Sequence, residues 1–217
     1  MSTVTIAIAA RVATNLLVGQ KLRPANQARR EEPPRVTRAC VEDLVASGRL
    51  SSIGPGLVDV RQVEDLFSRT RVINDSDHDF VRVSITPLGD SASVDPLSDG
   101  STRRFAGYDF LNRAGLSPIE RLAGIEGVWP LSEVKLRRAE LNGAYFFPSM
   151  KGFVDASVIR VVTGYHLDLV TTRRWVETRS ALPGEKERIL NPGCAPASNW
   201  EHVWITVPKG PIANYSG

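Results

Sequence analysis

Three alternating aspartates are the first residues whose spacing could hold a metal ion. Asp75, Asp77 and Asp79 occupy every second position, and oxygen ligands with this spacing converge on one calcium ion in a loop site. The remaining loop positions do not fit, because Phe80 stands where a glycine is required and Thr86 where the closing glutamate belongs. We therefore expect no bound metal, and these aspartates are the candidate ligands if one binds.

A second pattern places an aspartate upstream of a Glu-x-Lys pair. Asp109 precedes Glu133 and Lys135, and the order resembles metal-dependent nucleases of the PD-(D/E)xK type. The resemblance implies that the two carboxylates would hold a metal while the lysine assists the attacking water. That motif requires a strand, whereas residues 131–141 are predicted to be helical. The sequence therefore favours a binding protein over an enzyme, and we expect no cofactor.

The histidines form no metal-binding spacing. Tyr165, His166 and Asp168, or alternatively Glu201 and His202, contain the residue types of a metal-free acid–base site. Nothing in the sequence selects either group.

Basic and aromatic side chains recur together, which is typical of surfaces that bind nucleic acid. The candidate contacts are Arg35, Arg38, Arg49, Lys135, Arg137, Arg138, Arg173, Arg174 and Trp175.

The elements that must position the first of these residues are helical. Apolar residues recur at helical spacing over residues 7–18 and 36–50, and Gly48 is a plausible helix end. A glycine-containing turn over 51–56, a short strand over 57–60 and a further helix over 61–68 follow.

This order resembles excisionase-like and MerR-like winged helix-turn-helix modules over residues 35–70. Residues 41–50 correspond to the recognition helix, 51–60 to the wing and 61–67 to the trailing helix. The resemblance implies that the helix enters the major groove while the wing touches the adjacent backbone. The chain departs from the family where a twelve-residue connector, 23–34, separates the first helix from the second, and where Glu42 and Asp43 lie in the recognition helix.

The rest of the chain mixes helices and strands. We predict helices over 108–113, 118–123 and 131–141, and strands over 144–147, 156–163, 172–177 and 203–207. The fold class is therefore α+β, with a helical first part and a β-rich second part built as a small curved sheet or barrel.

The charge distribution suggests the organisation of the chain. The formal net charge of +3 combines +4 over residues 1–72, −5 over 73–101 and +4 over 102–217. We predict a helical unit over 1–72, an acidic strand and flexible linker over 73–104, and an α+β domain over 105–217.

Composition excludes several classes of protein. The 217 residues are 42% hydrophobic and 24% charged, and no apolar run is long enough to span a bilayer, so we expect a cytoplasmic protein without membrane contact. Two cysteines far apart in sequence, Cys40 and Cys194, are expected to be free thiols.

Three functions fit these observations. The leading one is a regulatory or accessory factor, of a phage or another mobile element, that binds duplex DNA. A homo-oligomer is compatible with this hypothesis. The alternatives are a structural or assembly subunit of a virion or phage particle and a metal-dependent nuclease.

Overall fold

The computed structural model describes residues 2–20, 33–73, 79–96, 102–167, 173–191, 200–205 and 212–214. Within these ranges the helices are α1 (Ile6–Gly19), α2 (Arg38–Ala46), α3 (Val60–Ser68), α4 (Pro118–Glu126), α5 (Glu133–Asn142) and α6 (Pro183–Leu190). The strands are β1 (Thr3–Thr5), β2 (Ser52–Gly54), β3 (Leu57–Asp59), β4 (Thr70–Ile73), β5 (Phe80–Ser84), β6 (Gly89–Pro96), β7 (Thr102–Ala106), β8 (Val128–Trp129), β9 (Tyr145–Ser149), β10 (Phe153–Asp155), β11 (Arg160–Leu167), β12 (Arg174–Ser180), β13 (His202–Ile205) and β14 (Ile212–Asn214). The predicted α+β class is confirmed.

Helices α1, α2 and α3 accompany a small antiparallel sheet of order β1-β3-β2. The predicted helices over 7–18, 36–50 and 61–68 correspond to α1, α2 and α3. Each begins at a side chain that accepts a hydrogen bond from a backbone amide in the first turn: Thr5 for α1, Thr37 for α2 and Asp59 for α3. Strands β2 and β3 form a hairpin across an exposed turn at Pro55 and Gly56.

One threonine ties the start of α2 to α1. The Thr14 hydroxyl accepts from the Val36 amide at 3.0 Å, and it lies 3.3 Å from the Val36 carbonyl and 2.8 Å from the Ala10 carbonyl. Because Val36 lies two residues before α2, this contact fixes the approach to α2 across the long connector.

A three-stranded sheet of order β10-β13-β4 joins the segment that follows α3 to strands near the C-terminus. Strand β4, directly after α3, runs parallel to β13, and β13 is antiparallel to β10. The apolar cluster beneath it combines side chains of the N-terminal helices with those of the C-terminal strands, including Leu17, Leu44, Phe67, Phe146, Phe153 and Trp204. The two parts therefore share one core, while the domain boundaries at 72 and 105 stay a prediction.

The largest sheet has six strands in the order β14-β5-β9-β11-β12-β8. Helix α5 packs against β11 and buries Leu136 and Ala139. The sheet is open, since β14 and β8 form its two edges, and the described residues contain no closed barrel. Of the two predicted forms, a curved sheet or a barrel, the structure has an open sheet.

Residues 89–96 and 102–106 form strand pairing that the sequence did not predict. Strands β6 and β7 form an antiparallel pair with an irregularity between Asp90 and Asp95. The acidic strand expected within 73–104 corresponds to β5, an interior strand of the six-stranded sheet, whereas the residues expected to form a linker contain β6 and the start of β7. Low apolar content misled the prediction because a two-stranded ribbon is held by backbone hydrogen bonds.

The helix predicted over 108–113 is also absent, and turns occupy these positions. The Asp109 carboxylate accepts hydrogen bonds from the backbone amides of Leu111 and Arg113, and Asn112 has a φ of +49°. This side-chain capping competes with the helical backbone pattern. Helix α6 and the edge strands β8 and β14 were not predicted.

Candidate functional site

The C-terminal end of α2 turns the chain back into the protein. The Arg49 amide donates to the Leu44 carbonyl at 2.8 Å and the Gly48 amide to the Val45 carbonyl at 3.0 Å, which is the Schellman pattern of helix termination. Gly48 has a φ of +77°, a conformation that favours glycine. A Cβ at this position would lie 2.6 Å from Cγ of Leu111. The glycine therefore permits both the turn and the close approach of the 109–113 loop.

Directly after this turn, the Arg49 side chain enters a buried charged cluster with Asp155 and His202. Strands β10 and β13 place Asp155 opposite His202. Arg49 Nε lies 2.8 Å from Asp155 Oδ2, and Arg49 Nη2 lies 2.8 Å from His202 Nε2. The guanidinium also lies over the Phe110 ring, 5.9 Å from its centroid. A basic residue predicted to contact DNA is thus used inside the protein.

The geometry fixes the tautomer of His202. A guanidinium group only donates, so Nε2 must accept from Arg49, and the ring proton belongs on Nδ1. Nδ1 lies 3.3 Å from Asp155 Oδ2, which is within ion-pair distance, but the two groups are not aligned for a hydrogen bond. The contact of Arg49 Nε with Asp155 Oδ2 also lacks hydrogen-bond alignment. Both contacts are ion pairs, because their distances are short and Asp155 is buried.

The surroundings of His202 keep the imidazole neutral. Burial lowers the pKa of His202 to about 4, the Asp155 carboxylate opposes this shift, and the Arg49 charge reinforces it. The ring lies 5.2 Å from the Phe153 ring, centroid to centroid. At 2% exposure, His202 has no access to a substrate in this conformation. The cluster therefore connects the end of α2 to the β10–β13 pair.

A second polar cluster surrounds the Tyr108 ring. The Tyr108 hydroxyl accepts from Arg121 Nη2 at 2.6 Å, and the same guanidinium lies 4.9 Å from the ring centroid. Nearby, Glu126 accepts from the amide and hydroxyl of Thr178 at 2.9 and 2.6 Å, and Arg160 Nε lies 3.9 Å away. Burial raises the pKa of Glu126, although the Thr178 hydrogen bonds oppose the shift. These contacts tie α4 to β12.

The residues of the predicted nuclease pattern have separate partners. Asp109 is 6% exposed and accepts from the backbone amide and side chain of Arg113. Burial raises the pKa of Asp109, but these hydrogen bonds outweigh it and the pKa lies below its ordinary value. Glu133 lies in the first turn of α5, 3.6 Å from Arg174, with Lys135 on the same helix. These two residues lie in a helix, whereas the nuclease motif requires a strand.

Two of the three aspartates proposed as metal ligands are not described by the structure. Asp75 and Asp77 lie outside the described residues, and Asp79 accepts from the Asn142 side-chain amide at 2.9 Å. Within the described ranges, no group of three or more His, Cys, Asp or Glu side chains could hold a metal ion.

Of the predicted nucleic-acid contacts in the first part, Arg35 and Arg38 are exposed and flank the start of α2. Arg38 pairs with Glu42 one turn later, with Nε 2.8 Å from Oε1. Asp43 pairs with Lys151 at 2.6 Å. The two acidic residues of α2 are thus each matched by a basic side chain.

The other predicted contacts lie on the second part. Lys135, Arg137 and Arg138 are exposed on α5. Arg173 precedes β12 and is exposed, while Arg174 donates to the Leu131 carbonyl at 3.0 Å.

Trp175 lies parallel to the His166 ring, with centroids 6.2 Å apart, and His166 Nδ1 lies 3.1 Å from Glu177. Of the acid–base groups considered, Asp168 lies outside the described residues.

Sequence reasoning missed the pairing of Asp155 and His202 with Arg49. Asp155 caps the short 3-10 turn Ala156–Val158 by accepting from the Ser157 amide at 2.9 Å, and the Asp-x-Ser pattern is a local signal for that cap alone. The partnership with His202 depends on strand register across almost fifty residues, which no local pattern encodes.

Comparison with known proteins found no match among protein-family models, curated proteins or solved structures. In the described ranges, none of the helices combines the length and the apolar character that crossing a membrane requires.

Proposed function

We propose that the protein is a regulatory or accessory factor that binds duplex DNA through the start of α2 and the β2–β3 hairpin. The observation that carries the proposal is the order of elements after the connector: α2, a glycine turn, the β2–β3 hairpin and α3. This is the order of the winged helix-turn-helix resemblance, with α2 as the recognition helix and the hairpin as the wing. The exposed turn at Pro55 and Gly56 leaves the hairpin tip accessible to a DNA backbone.

The polarity of α2 favours contacts at its N-terminal end. Arg35 and Arg38 lie at this end, where recognition helices place the residues that reach base edges and phosphates. The helix dipole also favours a phosphate here. Thr37 between them accepts from the Cys40 amide at 3.2 Å and fixes the first turn.

In this proposal Arg49 does not contact DNA, because its side chain is used inside the protein. It lies at the opposite end of α2, where the Asp155 carboxylate already pairs with its charge. Binding a phosphate through Arg49 would leave Asp155 unpaired at 8% side-chain exposure, which is costly. Arg35 and Arg38 therefore carry the proposed contact.

Glu42 restrains the proposed contact. Its carboxylate pairs with Arg38 at 43% side-chain exposure, so the pair is open to solvent and weak. A phosphate of the DNA replaces Glu42 as the partner of Arg38. The variant Glu42→Gln removes the competing charge and should bind DNA more tightly, by about threefold to tenfold, since an exposed pair contributes about 0.2–1 kcal/mol and a nearby repulsion is also lost.

A mobility-shift titration with random-sequence duplex DNA at roughly 50 and 200 mM salt tests the proposal. If several phosphates are contacted, the affinity for DNA should fall steeply between these two salt concentrations. The double variant Arg35→Ala/Arg38→Ala should bind weakly, and its salt slope should fall by about two, one for each lost phosphate contact. The matched control, Arg104→Ala/Arg188→Ala, removes two exposed arginines from β7 and α6 and should bind like the wild type.

Two outcomes oppose the proposal. Absence of duplex binding at 50 mM salt rejects it, and equal losses in both double variants show that binding is unspecific surface charge. Sedimentation of the same preparation as a large closed assembly, together with absent DNA binding, supports the assembly subunit instead.

A further inference from the structure

Helix α5 carries two aliphatic residues on the side that faces away from the protein. Leu136 and Ala139 are buried, whereas Val134 and Leu141 are 80% and 79% exposed. Seven residues correspond to nearly two helical turns, so Val134 and Leu141 lie on one line, about 10.5 Å apart along the axis. That line lies opposite the buried pair, so nothing in the described protein covers it.

Basic residues border this line. Arg138 lies close to it between the two aliphatic side chains, Arg137 lies on one flank and Lys135 on the other, and all three are exposed. Two acidic residues of the helix lie beside the Arg137 flank. Glu133 is 3.6 Å from Arg174, which offsets its charge, and the exposed Glu140 is outnumbered by the three basic residues, so the face stays positive. We call the surface formed by Val134, Lys135, Arg137, Arg138 and Leu141 the α5 face. It combines positive charge with apolar anchors.

We propose that the α5 face docks an acidic amphipathic segment of a partner protein, one that places aliphatic side chains on Val134 and Leu141 and carboxylates against the arginines. Anchors at positions i and i+7 of an exposed helix are the pattern by which helices bind a complementary apolar surface. Charge complementarity selects the sign of the partner. The inference is independent of the proposed DNA contact, which uses Arg35 and Arg38 on α2.

A second copy of the chain fits this face poorly. A twofold axis that pairs Val134 of one copy with Leu141 of the other passes midway between them, next to Arg137 and Arg138. The four arginines would then meet at the centre of the interface, and like charges brought together oppose association.

Nucleic acid fits the charge of this face but not its apolar anchors. A phosphate backbone would pair with Arg137 and Arg138 but would leave Val134 and Leu141 in water. An acidic segment with aliphatic side chains matches both properties, so the apolar pair decides between the two partners.

A designed probe peptide tests the inference. The probe is a helical peptide of about 18 residues with leucines at i, i+3, i+4 and i+7 and glutamates on both flanks, labelled for fluorescence anisotropy. The wild type should bind it saturably, and Val134→Ala/Leu141→Ala should weaken binding by about tenfold or more, because each lost anchor removes a buried aliphatic contact. Arg137→Glu/Arg138→Glu should weaken binding to a similar extent.

Two controls isolate the face. Ile119→Ala removes an equally exposed aliphatic side chain, 79%, from α4 and should bind the peptide normally. A peptide with its glutamates replaced by glutamine should bind weakly. Unchanged thermal unfolding of the variants shows that the protein remains folded, as expected for side chains this exposed.

Four results would overturn the inference. Two concern the peptide: it does not bind saturably, or the Val134→Ala/Leu141→Ala variant binds it as well as the wild type does. The other two indicate a different partner: the wild type forms a dimer in sedimentation equilibrium that Val134→Ala/Leu141→Ala converts to a monomer, or it binds duplex DNA in a way that Arg137→Glu/Arg138→Glu abolishes and Val134→Ala/Leu141→Ala does not. Because the DNA proposal is tested with Arg35 and Arg38, either proposal fails without the other.

Discussion

Arg49 and His202 meet inside the protein with Nη2 2.8 Å from Nε2, although 153 positions separate them in the sequence. The contact connects the end of α2 with strand β13, and Asp155 on β10 completes it. Helix α2, which the proposal places against DNA, is therefore held by an ion network and by a shared core. It would not move as a separate unit.

The first prediction concerns the pH dependence of stability. Burial lowers the folded-state pKa of His202 to about 4, below its ordinary value of 6.5. The unfolded chain therefore binds the extra proton between these values, and the His202 contribution, fully present above pH 6.5, is lost as the pH falls toward 4. The groups that face His202 are Asp155, Arg49, Glu201 and Arg69. The expected slope is at most about 1.4 kcal/mol per pH unit.

Urea unfolding of the wild type and of His202→Asn between pH 7 and pH 4.5 measures this effect. The difference in unfolding free energy between the two proteins should shrink as the pH falls. His166→Asn, which changes a partly exposed histidine, serves as the matched control. A difference that stays constant across this range would show that His202 does not titrate on unfolding.

The second prediction concerns the Asp155 carboxylate. Asp155→Asn removes the negative charge between Arg49 and His202 and leaves the Arg49 guanidinium facing a neutral group at 29% side-chain exposure. Because breaking a buried pair costs about 3–5 kcal/mol and Arg49 is partly solvated, we expect a loss of about 2–4 kcal/mol in unfolding free energy. Glu42→Gln breaks an exposed pair and should change stability by less than about 1 kcal/mol. Equal effects of the two variants would contradict a structural role for the cluster.

Local signals were enough to predict the helices that position the proposed DNA contact. Apolar spacing located α1, α2 and α3, and Gly48 and Ser132 mark helix ends as expected. These features depend on residues only three or four positions apart, so they can be predicted from a single sequence.

Non-local pairing is the part that the sequence could not reveal. Strand β4 pairs with β13 across some 130 residues, and the register of β10 with β13 decides that Asp155 lies opposite His202. Many β-branched segments satisfy the same periodicity, and strand order depends on long-range packing. The inward direction of Arg49 was missed for the same reason, because the charge that attracts it lies on a distant strand.

The third prediction concerns Gly48, which has a φ of +77°. Gly48→Ala should destabilise the protein by about 1–2 kcal/mol, because a Cβ disfavours this left-handed conformation. Gly48→Asn meets the same Leu111 side chain but tolerates the backbone better, so it should cost less than alanine. Thermal and urea unfolding of both variants measures the difference. If Asn and Ala are equally damaging, contact with Leu111 and not the backbone conformation determines the cost, and adding Leu111→Ala should then rescue both.

The last prediction concerns the thiol of Cys40. Cys40 is a free, fully buried thiol, as predicted, while Cys194 lies outside the described residues. Burial raises the pKa of the Cys40 thiol to about 12, and the nearby Asp43 carboxylate raises it further while Lys151 opposes the shift. Since the thiolate is the reactive form, Cys40 should not react with a thiol reagent in the folded protein at pH 8. In a Cys194→Ser variant, one equivalent of the reagent should be consumed only when urea unfolds the chain, with the same midpoint as the loss of secondary structure. Rapid labelling of this variant without denaturant would show that the α2 core opens in the folded state.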